Sequence, residues 1–307
     1  MSILPSSNSQ TTNDLSTDFA SNALVVAGVP EHFNLPWHLA IESGKFDRAG
    51  IRLKYCDAPG GTGEMTNGLL QKTLDVAIVL AEGGVASLLQ GNPSRIVKTY
   101  VESPLIWGIH VAADSKIQKI EQIKNGRYAI SRFGSGSHLM SIVDASERGW
   151  PTNKMNFHEV KNLDGAREAL ANGDADTFFW ERFTTAPLVR SGEFRCVGVR
   201  QTLWPAFVIC VRDEVLAERA DDIKTVLEIV NDSCQELMDN AEACEIIAQR
   251  YRLSLMEVED WFAMTKWSTD FNNPVEAIDT IRACLLKLNL ITESQSRSRT
   301  LWHDLTH

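Results

Sequence analysis

The sequence predicts an α/β fold in which strands and helices alternate along most of the chain. Short apolar runs such as Leu24–Gly28 and Val76–Leu80 are typical of buried strands. Segments with apolar residues at helical spacing fill the intervals between such runs, and glycine-rich turns join several strands to the helices that follow them. Alternation of this kind predicts a parallel sheet that is covered by helices on both faces.

The elements follow in order from residue 24. The predicted strands lie at residues 24–28, 51–56, 76–80, 96–100, 105–111, 128–131, 156–160, 177–180, 195–199 and 206–211. After residue 213 the apolar period becomes helical throughout, and the predicted helices lie at residues 215–237, 241–251, 255–267 and 274–288. The chain is therefore expected to close with a helical segment.

Composition limits the classes of function. A chain of 307 residues with 44% hydrophobic residues can bury a large core and is long enough for two domains. Its net charge of −10 argues against non-specific binding to nucleic acids or to anionic membranes, which is driven by clustered lysine and arginine. No apolar run approaches the roughly 20 residues that span a bilayer, so no membrane insertion is predicted.

The cysteines and the N-terminal segment bear on cellular location. The six cysteines are scattered without a C-x-x-C pair, a pattern that favours reduced thiols and predicts neither a disulfide framework nor a metal site. Residues 1–22 are rich in Ser, Thr and Asn and are predicted to form a disordered tail. They lack the features of a secretory signal, so a cytoplasmic location is expected if Met1 is the natural start.

A glycine- and serine-rich turn follows the strand predicted at residues 128–131. Backbone N–H groups at the start of the next helix have no partner within the helix, and the helix dipole adds positive potential there. Serine hydroxyls can complete such a receptor for an anion or a polar group. The candidate ligand-binding residues of this turn are Arg132, Gly134, Ser135, Gly136, Ser137 and His138.

A second turn of the same type follows the strand at residues 51–56. Its candidate ligand-binding residues are Gly60, Gly61, Thr62, Gly63 and Glu64. Neither turn matches a Walker sequence or a full G-x-G-x-x-G with a downstream acid, and ordinary turn chemistry is the structural alternative for each. Two receptors of one type, about seventy residues apart, nevertheless predict a shared cleft.

The order and spacing of several motifs resemble a known family. They are residues 37–46 followed by Gly50, the first glycine turn, residues 74–78, residues 117–123 with Gly126, the second glycine turn, and residues 173–176 before Trp180. Together these motifs resemble the type II periplasmic substrate-binding proteins, especially the group that binds nitrate, sulfonates, taurine and thiamine pyrimidine precursors. The resemblance covers residues 24–290, and without an export signal the chain looks like a cytoplasmic, possibly fungal, member.

The resemblance implies a two-lobed Venus-flytrap fold with a helical C-terminal segment and a ligand between the lobes. Lobe one is expected at residues 23–112 plus 205–307, and lobe two at residues 113–204. Further candidates lie at strand ends, where this fold binds its ligand: Glu31, His32, Trp37, Glu82, Trp180 and Glu181. Each has a structural alternative, such as helix packing for Trp37 or a surface position for His32.

The leading hypothesis is a non-catalytic small-molecule-binding protein. Its lobes would close around a polar, planar or anionic metabolite such as a thiamine pyrimidine precursor or a sulfonate, without a cofactor or a metal. A partner transporter is doubtful because no export signal is recognised. Two alternatives stay open: an enzyme acting on a pyrimidine-like or sulfur-containing metabolite with His32 or Glu64 as acid or base, and a ligand-dependent sensor or partner-binding protein.

Overall fold

The computed structural model describes residues 23–272 and 274–306, and the tail predicted at residues 1–22 lies outside them. Eight strands are assigned within the described residues. They are β1 (Leu24–Gly28), β2 (Leu53–Asp57), β3 (Val76–Leu80), β4 (Ser94–Ala112), β5 (Arg127–Ile130), β6 (Asn156–Glu159), β7 (Thr177–Glu181) and β8 (Phe194–Arg212). They form one sheet in the order β2-β1-β3-β8-β4-β7-β5-β6.

The sheet is mixed, whereas the alternating pattern predicts a parallel one. β1 is parallel to β2 and β3, and β5 is parallel to β6 and β7, as expected for strands joined by helices. β4 and β8 are antiparallel to each other, and each is antiparallel to its other neighbour as well. This arrangement divides the sheet into a first half around β1–β3 and a second half around β5–β7, with β4 and β8 running through both.

The two long strands replace four of the predicted ones. Polar residues and prolines interrupt the apolar pattern near the middle of each strand, and in a single sequence such an interruption reads as a strand end. In the structure the ladder continues through four register shifts between Ile96 and Ile106, and Pro104 lies opposite Pro205. A proline needs no ladder partner for an N–H group, so the irregular stretch is tolerated there.

Helices cover the sheet and close the chain. The α-helices are α1 (Leu35–Glu42), α2 (Lys45–Arg48), α3 (Thr62–Leu70), α4 (Ala81–Leu89), α5 (Gly136–Glu147), α6 (Leu163–Asn172), α7 (Ala186–Arg190), α8 (Asp213–Asp239), α9 (Ala243–Tyr251), α10 (Leu255–Met264), α11 (Val275–Lys287) and α12 (Glu293–Ser296). The C-terminal helices pack on the first half, with α8 against α1 and α11 against α4. Short 3₁₀ turns lie at His32–Asn34, Ile120–Ile123 and Thr152–Lys154.

The core is continuous along the two long strands. One large cluster of buried apolar side chains fills the first half and extends along β4 and β8 into the second half, where a smaller cluster surrounds Phe178 on β7. The predicted lobe limits at residues 112 and 205 stay a prediction. By strand pairing, Trp107 to His110 already lie beside β7, so this part of β4 lies with the second half.

Candidate functional site

A cavity of about 60 Å³ lies between the two halves of the sheet. It is bounded by the loop after β1, the ends of β3 and β7, the turns before α3 and α5, and the middle of β4 and β8. In open α/β sheets ligands bind beyond the carboxyl ends of the parallel strands, which is where this cavity lies. Its lining residues are Val29, Glu31, Gly60, Gly61, Thr62, Leu80, Leu105, Trp107, Ser131, Arg132, Ser135, Gly136, Ser137, Trp180, Glu181 and Phe207.

The glycine turn before α3 forms the wall contributed by the first half. Gly61 has a φ of 70° and a ψ of −157°, a backbone conformation that essentially only glycine adopts. This conformation turns the chain from β2 into α3 at the cavity. Thr62, the first residue of α3, accepts a hydrogen bond on Oγ1 from the backbone N–H of Leu80 at 3.0 Å. The N-terminus of α3 is thereby held against the end of β3.

The turn before α5 forms the facing wall from the second half. Ser135 is the N-cap residue of α5, and its Oγ accepts a hydrogen bond from the backbone N–H of His138 at 3.3 Å. The backbone N–H of Ser131 donates to Ser137 Oγ at 3.0 Å, and the Ser135 and Ser137 hydroxyl oxygens lie 3.0 Å apart. The three serines are buried and hydrogen-bonded to one another, so the N-terminus of α5 is preorganised before any ligand binds.

Arg132 crosses from the second half to the first. Its Nη1 donates a hydrogen bond to the Gly60 carbonyl oxygen at 3.3 Å, and its guanidinium packs flat against Gly63. A Cβ atom at Gly63 would lie 1.5 Å from the Arg132 Cζ, so glycine is required there while the arginine holds this position. Burial lowers the pKa of Arg132, although Glu159 and Glu64 oppose this, and the group remains a cation at neutral pH.

Two tryptophans line the cavity and carry indole N–H groups that have no partner among the described residues. The indole N–H groups of Trp107 and Trp180 are buried and make no hydrogen bond to any residue that the structure describes. Trp180 stacks on Phe178 with ring centroids 5.1 Å apart, which fixes the plane of its ring. A buried N–H group without a partner is costly, so an acceptor that reached either group would be favoured.

Two carboxyl groups also reach the cavity. Glu181 ends β7 and is 4% exposed, and Glu31 lies in the loop after β1 and is partly buried. The wall therefore combines a cation and two helix N-termini with two acidic side chains. Such an arrangement can bind an anion and can also store or exchange a proton.

Ten of the predicted site residues line this cavity. They are Glu31, Gly60, Gly61, Thr62, Arg132, Ser135, Gly136, Ser137, Trp180 and Glu181. The structure brings the two glycine turns to opposite sides of one cavity, which is the juxtaposition that the sequence predicts. Contact of these residues with a ligand stays a prediction.

His32 and Trp37 lie elsewhere. His32 is 2% exposed and packs among aromatic rings, with its ring centroid 4.1 Å from that of Trp261. Burial lowers the pKa of His32 to about 3, so the ring is neutral and a poor acid or base near pH 7. Trp37 is fully buried in α1 beside Phe46, which makes it a core residue instead of a stacking platform.

Three further candidates form bonds that hold the fold together. Glu64 Oε2 accepts a hydrogen bond from the Gly60 backbone N–H at 2.7 Å, so this carboxylate closes the first turn. His138 Nδ1 accepts from the Gly134 backbone N–H at 3.1 Å and closes the second turn, and burial lowers the pKa of this histidine to about 4. Glu82 is buried under Trp204, whose indole N–H donates to it at 2.9 Å, and burial raises its pKa to about 7.

Gly63 and Gly134 line a second, more open groove on the outer side of Arg132. Phe133, which is 63% exposed, borders the same groove. Arg132 lines both the groove and the cavity and thus separates them. These two glycines line the groove and do not line the cavity itself.

Sequence reasoning missed six residues of the cavity wall. They are Val29, Leu80, Leu105, Trp107, Ser131 and Phe207. Leu80 and Ser131 end the predicted strands that precede a helix and a glycine turn, so strand-end position could have identified them. Leu105, Trp107 and Phe207 lie within β4 and β8, and only the antiparallel pairing of these strands brings them together.

The described residues form neither a metal-binding cluster nor a membrane-spanning helix. No group of three or more His, Cys, Asp or Glu residues within 23–272 and 274–306 is arranged to hold a metal ion. Among the helices of this part of the chain, none has the length and apolar character needed to cross a membrane.

Comparisons with known proteins connect this geometry to a fold family. Residues 107–199 match the model of the Ca3427-like periplasmic binding proteins. The chain is similar to the Candida albicans CA3427 gene product, described as defining a new family with the generic periplasmic binding protein fold. The TM-score is 0.83 at 26% identity, over 89% of this chain and 92% of that one. No match was found among curated proteins.

Two bacterial structures share the fold at lower identity. The alkanesulfonate-binding protein SsuA from Xanthomonas axonopodis pv. citri bound to MOPS has a TM-score of 0.74 at 16% identity, over 89% of this chain and 95% of that one. The aliphatic sulphonate binding protein SsuA from Escherichia coli has a TM-score of 0.67 at 13% identity, over 92% of each chain. At these identities the likeness concerns the fold alone.

Proposed function

We propose, from the premise that this chain has the type II periplasmic binding protein fold, that it binds a compact anionic metabolite between its two halves. The fold is that of proteins that bind small molecules, as the sequence resemblance predicts. The observation that carries the finer proposal is the set of donors around one cavity: the Arg132 guanidinium and the N-termini of α3 and α5.

These donors come from both halves of the molecule. α3 belongs to the first half, and α5 and Arg132 belong to the second half. An anion bound between them would make contacts in both halves and would therefore favour the closed arrangement over the open one. The apolar wall formed by Leu80, Leu105 and Phe207 excludes water and strengthens each of these interactions.

The size of the cavity favours a small ligand. A volume of about 60 Å³ has room for roughly four water molecules, since each needs about 10–15 Å³ by this measure. A short-chain sulfonate or carboxylate fits that space more readily than a pyrimidine ring with its substituents. Two bacterial proteins of this fold are sulfonate binders, which makes sulfonates the first ligands to test.

Thermal unfolding of the purified protein with a panel of ligands would test the proposal. The panel would contain ethanesulfonate, methanesulfonate, acetate, nitrate, sulfate, phosphate and a thiamine pyrimidine precursor. A ligand at 100 times its Kd adds about 2.7 kcal/mol to the free energy of unfolding and raises the Tm. No shift with any of these compounds would count against the proposal.

A pair of arginine variants would locate the site. Arg132→Gln keeps hydrogen-bonding capacity but removes the charge, and we expect it to weaken anion binding about tenfold or more. Arg297→Gln changes an exposed surface arginine and is the matched control, expected to leave binding unchanged. Equal affinity in both variants would place the anion outside this cavity.

The alternatives remain proposals with their own tests. For the enzymatic alternative, Glu31 is the remaining candidate acid or base. His32 lies outside the cavity, and Glu64 closes a turn by accepting a backbone N–H. Chemical change of a bound panel compound, measured by chromatography, would support it. A ligand-dependent pull-down would test a sensor role, and cell fractionation would test the expected cytoplasmic location.

A further inference from the structure

The cavity wall holds one carboxyl group from each half of the molecule, although an anion needs neither. Glu31 comes from the loop after β1 in the first half, and Glu181 comes from the end of β7 in the second half. When the halves are apart, water can solvate both groups. Closure of the cavity brings two like charges together and removes that water, which disfavours the doubly ionised pair.

The two acids differ in their partners. Glu181 accepts hydrogen bonds from the backbone N–H groups of Phe183 at 3.1 Å and Thr184 at 2.6 Å, and from the Thr184 hydroxyl at 2.8 Å. The Glu31 carboxyl forms no hydrogen bond or ion pair with the residues described. Glu181 is thus held in place by three donors, whereas Glu31 is free to gain or lose a proton.

The charged surroundings favour protonation of Glu31. Burial, and next the charge of Glu181, raise the pKa of Glu31 to about 8. Burial also raises the pKa of Glu181, but its three donors and Arg182 oppose that change. The other charged group of the wall is Arg132, which bonds to the Gly60 carbonyl, and the neighbouring His32 is neutral within its aromatic cluster.

We propose that the cavity binds a small anion together with one proton, and that Glu31 holds this proton opposite Glu181 when the two halves close. The inference rests on the proposed function, since it concerns the ligand of the same cavity. It restricts the expected ligands to anions that carry no cationic group. An ammonium group on the ligand would pair with the Glu31 carboxylate and make the proton unnecessary.

The expected pH dependence follows from the two states of Glu31. Its pKa has the ordinary value of about 4.5 when water reaches the carboxyl group, and burial as in this structure raises it to about 8. Between these values the closed complex holds a proton that the open protein lacks. Affinity should therefore fall by up to about tenfold per pH unit as the pH rises through this window, and level off above pH 8.

Isothermal titration calorimetry with ethanesulfonate would test the inference. This anion stays ionised across the whole range, so any proton taken up belongs to the protein. Titrations at pH 7 in buffers with different ionisation enthalpies should report uptake of close to one proton per ligand bound. Taurine, which is ethanesulfonate with an added ammonium group, should bind without proton uptake, because its ammonium group can pair with the ionised Glu31 carboxylate.

Glu31→Gln provides the variant test, with Glu64→Gln as the control from the same region. Glutamine retains an N–H donor but cannot ionise, so the proton uptake and the pH dependence should both disappear. The control keeps Glu31 intact and should retain the uptake for any anion that it binds.

The outcomes separate this inference from the proposed function. Binding of ethanesulfonate without proton uptake by the wild-type protein would overturn the inference alone, whatever the variants do. Uptake of the same proton when taurine binds would also overturn it. No binding of any anion in the panel would overturn both proposals.

Discussion

Some polar side chains near the cavity stabilise a turn by a hydrogen bond, although the sequence predicts that they bind a ligand. Glu64 and His138 each close a glycine turn by accepting a backbone N–H, one on each side of the cavity. A carboxylate and an imidazole beside a glycine turn suggest ligand contacts in a sequence. In the structure each side chain instead accepts the N–H of the glycine four residues earlier, which has no backbone partner in the turn.

His32→Phe tests the structural role of the buried histidine. The unfolded chain takes up a proton at this residue as the pH falls below 6.5, while the folded protein resists it down to about pH 3. The free energy of unfolding of the wild-type protein therefore decreases as the pH falls. Between pH 7 and pH 5 the variant should lose about 2 kcal/mol less of it than the wild-type protein. Urea unfolding at pH 7 and pH 5 would measure the difference, with the exposed His158→Phe for comparison.

Ligand binding by the same variant separates the alternatives for His32. The residue packs on Trp261 outside the cavity, so ethanesulfonate affinity should be unchanged. A loss of affinity in a well-folded His32→Phe protein would show that this histidine reaches the ligand.

At the scale of elements, α3 and α5 begin in the same way on opposite sides of the cavity. Each starts after a parallel strand, at a turn rich in glycine and hydroxyl side chains. Each is longer than two turns, so its N-terminal N–H groups carry the positive end of a helix dipole. The two dipoles converge on one cavity and favour an anion there.

Ser135→Ala tests the helix terminus as a ligand site. Loss of the N-cap hydrogen bond should cost about 1 kcal/mol of stability. Asn162→Ala is the matched control, because Asn162 caps α6 by accepting the Gly165 N–H at 3.0 Å and does not line the cavity. Both variants should lose similar stability in urea unfolding, but only Ser135→Ala should bind ethanesulfonate more weakly. Equal affinities would assign Ser135 a purely structural role.

At the scale of the whole molecule, β4 and β8 connect the two halves of the sheet. They run through both halves, and their ladder is irregular near Pro104 and Pro205. Register shifts interrupt the regular hydrogen bonding there, so this region is the natural place for bending. The cavity lies beside this stretch, and a small rotation there would open or close it.

Gly136→Leu should prevent closure. A Cβ atom at Gly136 would lie 2.7 Å from Leu80 in the first half and 2.7 Å from Trp107, so a leucine side chain would hold the halves apart. Small-angle scattering should show that saturating ethanesulfonate contracts the wild-type protein but not this variant.

Gly149→Leu is the control for closure. Gly149 has a φ of 71° and no atom within 4 Å of a built Cβ, so the substitution should cost about 1–2 kcal/mol in backbone strain without blocking the cavity. Contraction of Gly136→Leu to the same extent as the control would contradict the predicted role of Gly136.

Strands and turns that depend on a few neighbouring residues were predicted well. Strands β1 and β3 were predicted with the bounds that the structure has, because an uninterrupted apolar run between turn residues has few alternatives. The glycine turns were predicted to meet, since strand ends at one edge of a sheet lie close together. The two-lobed fold with its helical C-terminal segment is confirmed by its likeness to solved structures of the periplasmic binding protein fold.

Other features depend on partners that are distant in sequence. The union of four predicted strands into β4 and β8 depends on their mutual pairing, which joins residues about 100 positions apart. The burial of His32 and Trp37 depends on neighbours that no local pattern identifies. By contrast, Glu64 and His138 each accept a backbone N–H from only four residues earlier, so these two contacts are local to the turns.

The amino-acid sequence alone was sufficient to predict the fold class and the two turns. The spacing of apolar residues and the positions of glycines are determined by a few neighbouring residues. The tertiary structure decided which polar groups remain available to a ligand. It left Arg132 and two indole N–H groups beside the cavity, and it placed Glu31 and Glu181 together there. Burial and hydrogen-bond satisfaction are properties of the packed molecule, so they could be known only once the two halves were seen in contact.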